Sequence, residues 1–319
     1  MGHVSIQLRN CVSHYYSLEN VGEKMTDKGV ILSNVGLASA SASASASASS
    51  SSPKKKLILF LSGLLTCANE TYIQKTVHDM YLKRPNLEDE YFVCVYENHK
   101  RTSLEVASHI IAFIEHYNKN IIPIEELNIV GFSAGGILAS HVAANLDAHS
   151  FRHCIKRVIT YDTPMSIIHI MHNFNRNRIY KFDFLYYYFI ILVTYRNHVD
   201  NRRIRSIVKD GTFFPKYRGV DSTMKQLGEI HNLTSEQLIE KSQFTYKQLD
   251  RAEIYHIYCK DDPVVDHIHN LNYRREQIYK IYTNKPKIHI IEKNGIDHCC
   301  DMWTNTNYVD DILRIVGIE

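Results

Sequence analysis

A serine hydroxyl is a poor nucleophile near neutral pH, and acyl transfer by it needs a base within reach and a third group to orient that base. The stretch Gly131-Phe132-Ser133-Ala134-Gly135 offers a serine in a setting that suits such chemistry. Residues 127–130 end in two branched apolar side chains, and a run rich in Ala, Leu and Ile continues to residue 146, so the pattern is strand, sharp turn, helix. A serine on a strained strand-to-helix turn needs small residues two before it and two after it, where a Cβ would clash. The Ser133 hydroxyl would then project at the carboxyl edge of a sheet. The first N–H groups of the helix would face the same place and stabilise negative charge developing there. The motif by itself is weak in a serine-rich chain with 13 glycines. The strand before it and the helix after it are what make it specific.

The base and the acid should follow the serine in chain order, acid first and histidine last. Asp262 stands at the carboxyl end of a strand, in the stretch CKDDPVVDH, and His298 lies in the loop after the next strand. Both loops emerge on the edge that would carry Ser133. Of 18 histidines, His298 is singled out by position; His256, His267, His269 and His289 lie within or beside elements and read as structural. Asp262 has two rivals. Asp261 is its neighbour, and Asp162 ends the preceding strand in TYDTP. Asp297, beside His298, reads as a loop-closing residue. A triad of this type uses no cofactor and no metal.

The order GFSAG, then DDPVV after one strand, then G-x-x-H after the next, resembles the alpha/beta-hydrolase superfamily in its serine esterase, lipase and thioesterase branch, over about residues 57–319. The resemblance implies Ser133 as nucleophile, Asp262 as acid and His298 as base, with Asp162 at the position where some lipases of the family carry the acid. It also implies an oxyanion hole made by the N–H groups of Ala134 and of Leu64, in the loop after the third strand. That loop departs from the family, which usually has His-Gly where this chain has Ser62-Gly63.

The elements that must hold these residues alternate. Residues 57–62 form a continuous apolar run of the kind buried on both faces of a sheet. A helix is expected over about 69–83, a strand over 91–96, and a helix from an N-cap at Ser103 to about 118. After the strand and helix around Ser133 come a strand at 157–164, one near 252–259, a helix over about 266–282, a strand at 287–293 and a closing helix at 308–316. Such alternation argues an α/β fold with a mostly parallel central sheet flanked by helices, whose ligands bind beyond the carboxyl ends of the strands. The alternation breaks at residue 165 and resumes at about 251, so residues 165–250 read as a cap or lid inserted after the sixth strand. Residues 57–164 and 251–319 make the core. Residues 38–56, alternating Ser and Ala closed by Pro53 and three lysines, read as a flexible linker. Residues 1–37 hold two strand-like runs that suit either an edge hairpin or a loose tail.

The remaining composition narrows the class. A net charge of +3 on 319 residues, with 45% apolar and 22% charged side chains, is ordinary for a globular chain and does not point to nucleic acid. Seven cysteines without zinc-site spacing, and no basic-then-apolar leader, lead to the expectation of a reduced cytoplasmic protein. Within the insertion, residues 184–195 carry no charge and are rich in aromatics. At about 1.5 Å per residue they fall well short of the roughly 30 Å of a bilayer core. Basic residues dominate the flanks, so the segment suits either a buried cap helix or a dock on an anionic lipid surface. The expected activity is a serine hydrolase of carboxylic esters, a lipase or carboxylesterase of apolar acyl chains. The alternatives are an acyl-thioesterase and a noncatalytic hydrolase-fold protein that binds a lipid or a partner.

Overall fold

The computed structural model describes residues 12–17, 28–33, 55–63, 71–87, 91–97, 107–120, 123–146, 154–166, 233–247, 249, 251–262, 265–266, 272, 287–294, 298 and 307–318. Among the described residues eight strands form one sheet: β1 (Val12–Ser17), β2 (Lys28–Ser33), β3 (Lys55–Leu61), β4 (Tyr91–Glu97), β5 (Ile124–Phe132), β6 (Ile155–Tyr161), β7 (Glu253–Cys259) and β8 (Lys287–Lys293). Their spatial order is β1-β2-β4-β3-β5-β6-β7-β8. From β4 across to β8 every pairing is parallel. The hairpin β1–β2 is antiparallel and joins the sheet through β2 against β4, also antiparallel. Of the first 37 residues, the described ones are the two strands of this hairpin.

The apolar run that opens the regular pattern explains why the sheet is covered on both sides. Leu57, Leu59 and Leu61 enter one core with Ile129, Val142 and Ile254, while Ile58 and Phe60 enter the other with Val130, Phe132 and Ile159. Each of these five β3 side chains is at most 1% exposed. A strand that alternates between two dry faces needs apolar residues at every position, which is how it reads in the sequence. The helices α1 (Thr71–Lys83) and α5 (Asn307–Val316) cover the second face; α2 (Ala107–Asn120) and α3 (Ala134–Leu146) cover the first. Strand β3 begins at Lys55, so two lysines that read as linker belong to the sheet, and the Lys56 ammonium lies 5.1 Å from the centre of the Tyr91 ring.

Past β6 the described chain leaves the sheet at Met165 and Ser166 and is next described at residue 233. A short helix α4 (Ser235–Lys241) follows, opened by a capping box in which Thr234 accepts the Gln237 N–H and the Gln237 side chain accepts the Thr234 N–H. Ser166 bridges antiparallel to Gln243, and the Phe244 N–H donates to the Met165 carbonyl (2.8 Å). The stretch from which the chain departs and the one by which it returns therefore lie side by side. The apolar run 184–195, the Ser-Ala run up to residue 54, Ser103 and most of the helix expected over 266–282 lie outside the described residues. Among the described residues no helix is long and apolar enough to cross a membrane.

Candidate active site

Ser133 occupies the single residue between the end of β5 and the start of α3, with φ of +51°. For a side chain with a Cβ this left-handed backbone is strained, and it persists only where the surroundings over-determine it. Small neighbours make it feasible. A Cβ on Gly131 would strike the Gly135 carbonyl and the Gly136 backbone, and one on Gly135 would strike the carbonyls of Leu61 and Ser62. The turn thus demands glycine two before and two after the serine, as the motif implies. A third glycine that the motif does not specify, Gly136, faces the Thr163 side chain so closely that no Cβ would fit. The backbone of Ser133 is tied at both ends. Its N–H donates to the Tyr161 carbonyl (2.9 Å), and its carbonyl accepts the Gly136 N–H and the Thr163 hydroxyl, each at 3.0 Å.

Asp262 and His298, the expected acid and base, arrive from the two strands on the far side of β6. Asp262 follows β7, and its side chain is only 2% exposed. One carboxylate oxygen accepts the Val265 N–H (3.1 Å), closing the turn, and the other lies 2.8 Å from Nδ1 of His298. His298 sits beyond β8, its side chain 21% exposed, and its Nε2 lies 2.8 Å from the Ser133 hydroxyl. Three residues from three separate loops therefore form one hydrogen-bonded chain, Asp262 to His298 to Ser133. With Nδ1–H donated to the carboxylate, Nε2 is the lone-pair nitrogen and accepts from the serine O–H.

Both rivals for the acid are turned elsewhere. Asp261 is exposed. Asp162, 1% exposed and itself left-handed at φ +44°, accepts the Cys259 N–H at 2.7 Å. Ala134 opens α3, where the first N–H groups have no acceptor within the helix. Leu64 and Asp297 lie outside the described residues, as do His267 and His269. His256 is fully buried in β7, bonded through Nδ1 to the Thr160 hydroxyl (2.7 Å) and through Nε2 to the Tyr246 hydroxyl (3.1 Å). His289 stacks on Tyr255, centroids 4.3 Å apart. Neither reaches the Ser133 turn. Among the described residues no group of His, Cys, Asp and Glu could hold a metal ion.

Aromatic packing fixes the floor. The Tyr308 ring, at the start of α5, meets Tyr161 and Phe132 edge-on, with centroids 4.6 and 5.8 Å away. Phe132 and Tyr161 stack on each other at 5.2 Å. These residues precede Ser133, precede Asp162 and follow the His298 loop, so one cluster holds the roots of several loops. Burial, reinforced by Asp311, pushes the Tyr161 phenol well above its usual pKa, and its neutral O–H donates to the Tyr308 carbonyl (3.3 Å). Sequence reasoning missed Thr163 and Gly136. The signal was the second glycine of Gly135-Gly136, which is beyond what the turn itself requires.

No family model matches the chain, and no curated protein is similar to it in sequence. Solved structures are similar to it in shape. Carboxyl esterase 2 of the mycorrhizal fungus Tuber melanosporum superposes with a TM-score of 0.56 over 100% of this chain and 88% of its own, at 12% identity. An esterase of Pyrococcus furiosus gives 0.51 over 96% of this chain and 90% of its own, at 11% identity. The acylaminoacyl peptidase of Pyrococcus horikoshii gives 0.50 over 97% of this chain and 41% of its own, also at 11% identity. Identity this low establishes a shared fold, and a fold does not by itself fix the bond that is cleaved.

Proposed function

We propose, from the premise that this chain has the alpha/beta-hydrolase fold, that it is a serine hydrolase cleaving carboxylic esters through Ser133, His298 and Asp262. The observation that carries the reading is His298, which lies 2.8 Å from the Ser133 hydroxyl on one side and 2.8 Å from the Asp262 carboxylate on the other. As the Ser133 oxygen attacks the acyl carbonyl, its proton passes to Nε2 of His298. Asp262 holds the imidazole in the tautomer that can accept and stabilises the imidazolium that forms. The tetrahedral oxyanion is met by the Ala134 N–H at the positive end of α3, with Leu64 as the second donor that the resemblance implies. The alcohol leaves with the proton from His298, and water activated by the same nitrogen releases the acid from the acyl-enzyme.

The acyl group we propose is apolar, which makes the activity that of a lipase or carboxylesterase. The uncharged aromatic run 184–195 supports this, and its basic flanks support peripheral contact with an anionic lipid surface. The two esterases of like fold are consistent with an ester substrate. A thioester would use the same triad.

The test is labelling by a fluorophosphonate probe together with hydrolysis of p-nitrophenyl esters of increasing acyl length, on wild type and Ser133→Ala. Labelling and turnover that vanish in the variant are expected, with rates rising towards longer chains in dispersed lipid. Preference for acyl-thioesters would move the assignment to a thioesterase. A wild type that neither labels nor turns over would leave a noncatalytic binding protein as the reading.

A further inference from the structure

We infer that Asp162 and Thr163, which follow β6, are positioning residues that couple the turn carrying the nucleophile to the turn carrying the acid, an inference that rests on the serine-hydrolase reading. Among the described residues, the non-glycine positions with positive φ are Ser133 (+51°) and Asp162 (+44°). They are neighbours across the sheet, since Phe132 and Tyr161, the residues just before them, are register partners. Two strained residues side by side need restraint from outside themselves, and each is gripped by groups of the next strand over.

The residues flanking Asp162 hold both ends of Ser133. The Tyr161 carbonyl takes the Ser133 N–H at 2.9 Å, and the Thr163 hydroxyl donates to the Ser133 carbonyl at 3.0 Å. The same hydroxyl oxygen lies 3.3 Å from the Tyr161 carbonyl, so it sits over the loop that it closes. Space for it exists only because residue 136 is glycine. Asp162 is gripped from the opposite side. Its N–H donates to the Ile257 carbonyl (2.9 Å), and its carboxylate takes the N–H of Cys259, the last residue of β7 (2.7 Å). The Cys259 carbonyl in turn accepts the Asp262 N–H at 3.4 Å. Hydrogen bonds and the peptide links between them therefore connect the Ser133 backbone through Thr163, its chain neighbour Asp162 and Cys259 to the base of the Asp262 turn. Both residues are at most 1% exposed, so water does not replace these bonds when one is removed.

The experiment uses the full chain as wild type, Thr163→Val, Thr163→Ser, Asp162→Asn and Asp262→Asn, with Ser133→Ala as the blank. Fluorophosphonate labelling rate, kcat and KM on p-nitrophenyl butyrate, and thermal melting are measured on each. Valine keeps the shape of threonine and loses the hydroxyl. We expect kcat and labelling to fall together by roughly 10- to 100-fold with KM within about twofold, because the nucleophile is misplaced while the binding surface is intact. Serine restores the hydroxyl and should bring both rates back to within about threefold of wild type. Asp162→Ala, measured alongside these variants, removes the acceptor of the Cys259 N–H and should lower kcat and labelling together by roughly 10- to 100-fold with KM within about twofold. The amide of Asp162→Asn still offers an oxygen to that N–H and should bring the rates back to within about threefold of wild type, whereas a triad acid changed to asparagine would lose about 10⁴-fold. If Thr163→Val melts before assay, Thr163→Ala is read in its place. Wild-type rates in Thr163→Val, or equal impairment in Thr163→Ser, would overturn the role of the hydroxyl. Wild-type rates in Asp162→Ala would overturn the role of Asp162, and loss in Asp162→Asn as deep as in Asp262→Asn would overturn it by making the residue part of the triad. A wild type without labelling or turnover would instead bring down the hydrolase reading itself.

Discussion

The carboxylate of Asp262 uses both of its oxygens, one on His298 and one on the Val265 N–H. An amide in its place has one acceptor and one donor end. In Asp262→Asn, whichever way the amide turns, either the turn loses its acceptor or the imidazole must move its proton from Nδ1 to Nε2 so that Nδ1 presents a lone pair to the amide N–H. That tautomer would point an N–H at Ser133 and could not take its proton. The expected result is a fall in kcat of about 10⁴-fold with little change in KM, checked by steady-state kinetics on a short soluble ester. A decrease of less than tenfold would show that Asp262 does not orient the base. Under the proposed mechanism, replacing Ser133 or His298 should cost at least as much, and combining two changes should cost little more than one, because members of such a triad act as a unit.

Helix α3 joins the site to the stretch around residue 243. Its first residue, Ala134, follows Ser133, and further along Ser140 and His141 hold the stretch 243–245. The Ser140 hydroxyl accepts the Thr245 N–H (3.1 Å), and Nε2 of His141 lies 2.9 Å from the Gln243 carbonyl. Burial holds the His141 pKa below the usual imidazole value; the Gln243 carbonyl and Glu240 oppose that shift, while Lys247 and Lys241 add to it. In the unfolded chain this imidazole takes up a proton near pH 6.5. In the folded chain it does so only at lower pH. Unfolding therefore binds a proton in that window, and the stability present above about pH 6.5 is lost as pH falls through the folded pKa. His141→Gln keeps a donor for the Gln243 carbonyl and removes the titration. Between pH 7.5 and 5 the wild type should lose more Tm than the variant, by about 2 °C, measured by circular dichroism. Parallel losses in the two proteins would show that His141 is not the group responsible.

At the scale of the molecule, the sheet divides two apolar cores that share its strands. Adjacent residues of β3 serve opposite faces: Leu59 lies in the core under α2 and α3, and Phe60 in the core under α1 and α5, each fully buried. Because one backbone carries both, neither core can open while the other stays closed. Leu59→Ala should cost about 2–5 kcal/mol and Phe60→Ala about 3–5 kcal/mol, from lost burial and the cavities left behind. Urea titrations followed by far-ultraviolet circular dichroism and by intrinsic fluorescence should show the two probes shifting together in both variants. Separate midpoints for the two probes would mean that the faces unfold independently.

Much of this was legible in the chain. The two-faced burial of β3 is written in an apolar run without a polar break, the Ser133 turn in the two glycines that its crowding requires, and the positions of Asp262 and His298 in the order of strands before them. These signals are local because each is carried by a short run of residues, even where the crowding that demands it, as at Gly135 against Leu61 and Ser62, comes from a distant strand. What the sequence left open depended on distant segments meeting. Asp162 and Asp262 are equivalent as letters, each following a strand at the same sheet edge. Only the packed β6 and β7 decide that Asp162 turns to the Cys259 N–H while Asp262 faces His298. Thr163 reads as nothing until α3 brings Gly136 against it, and the edge hairpin exists only because β4 offers an unpaired edge to β2. Hydrogen-bond direction and side-chain fit are properties of neighbours in space, and those neighbours are chosen by the fold.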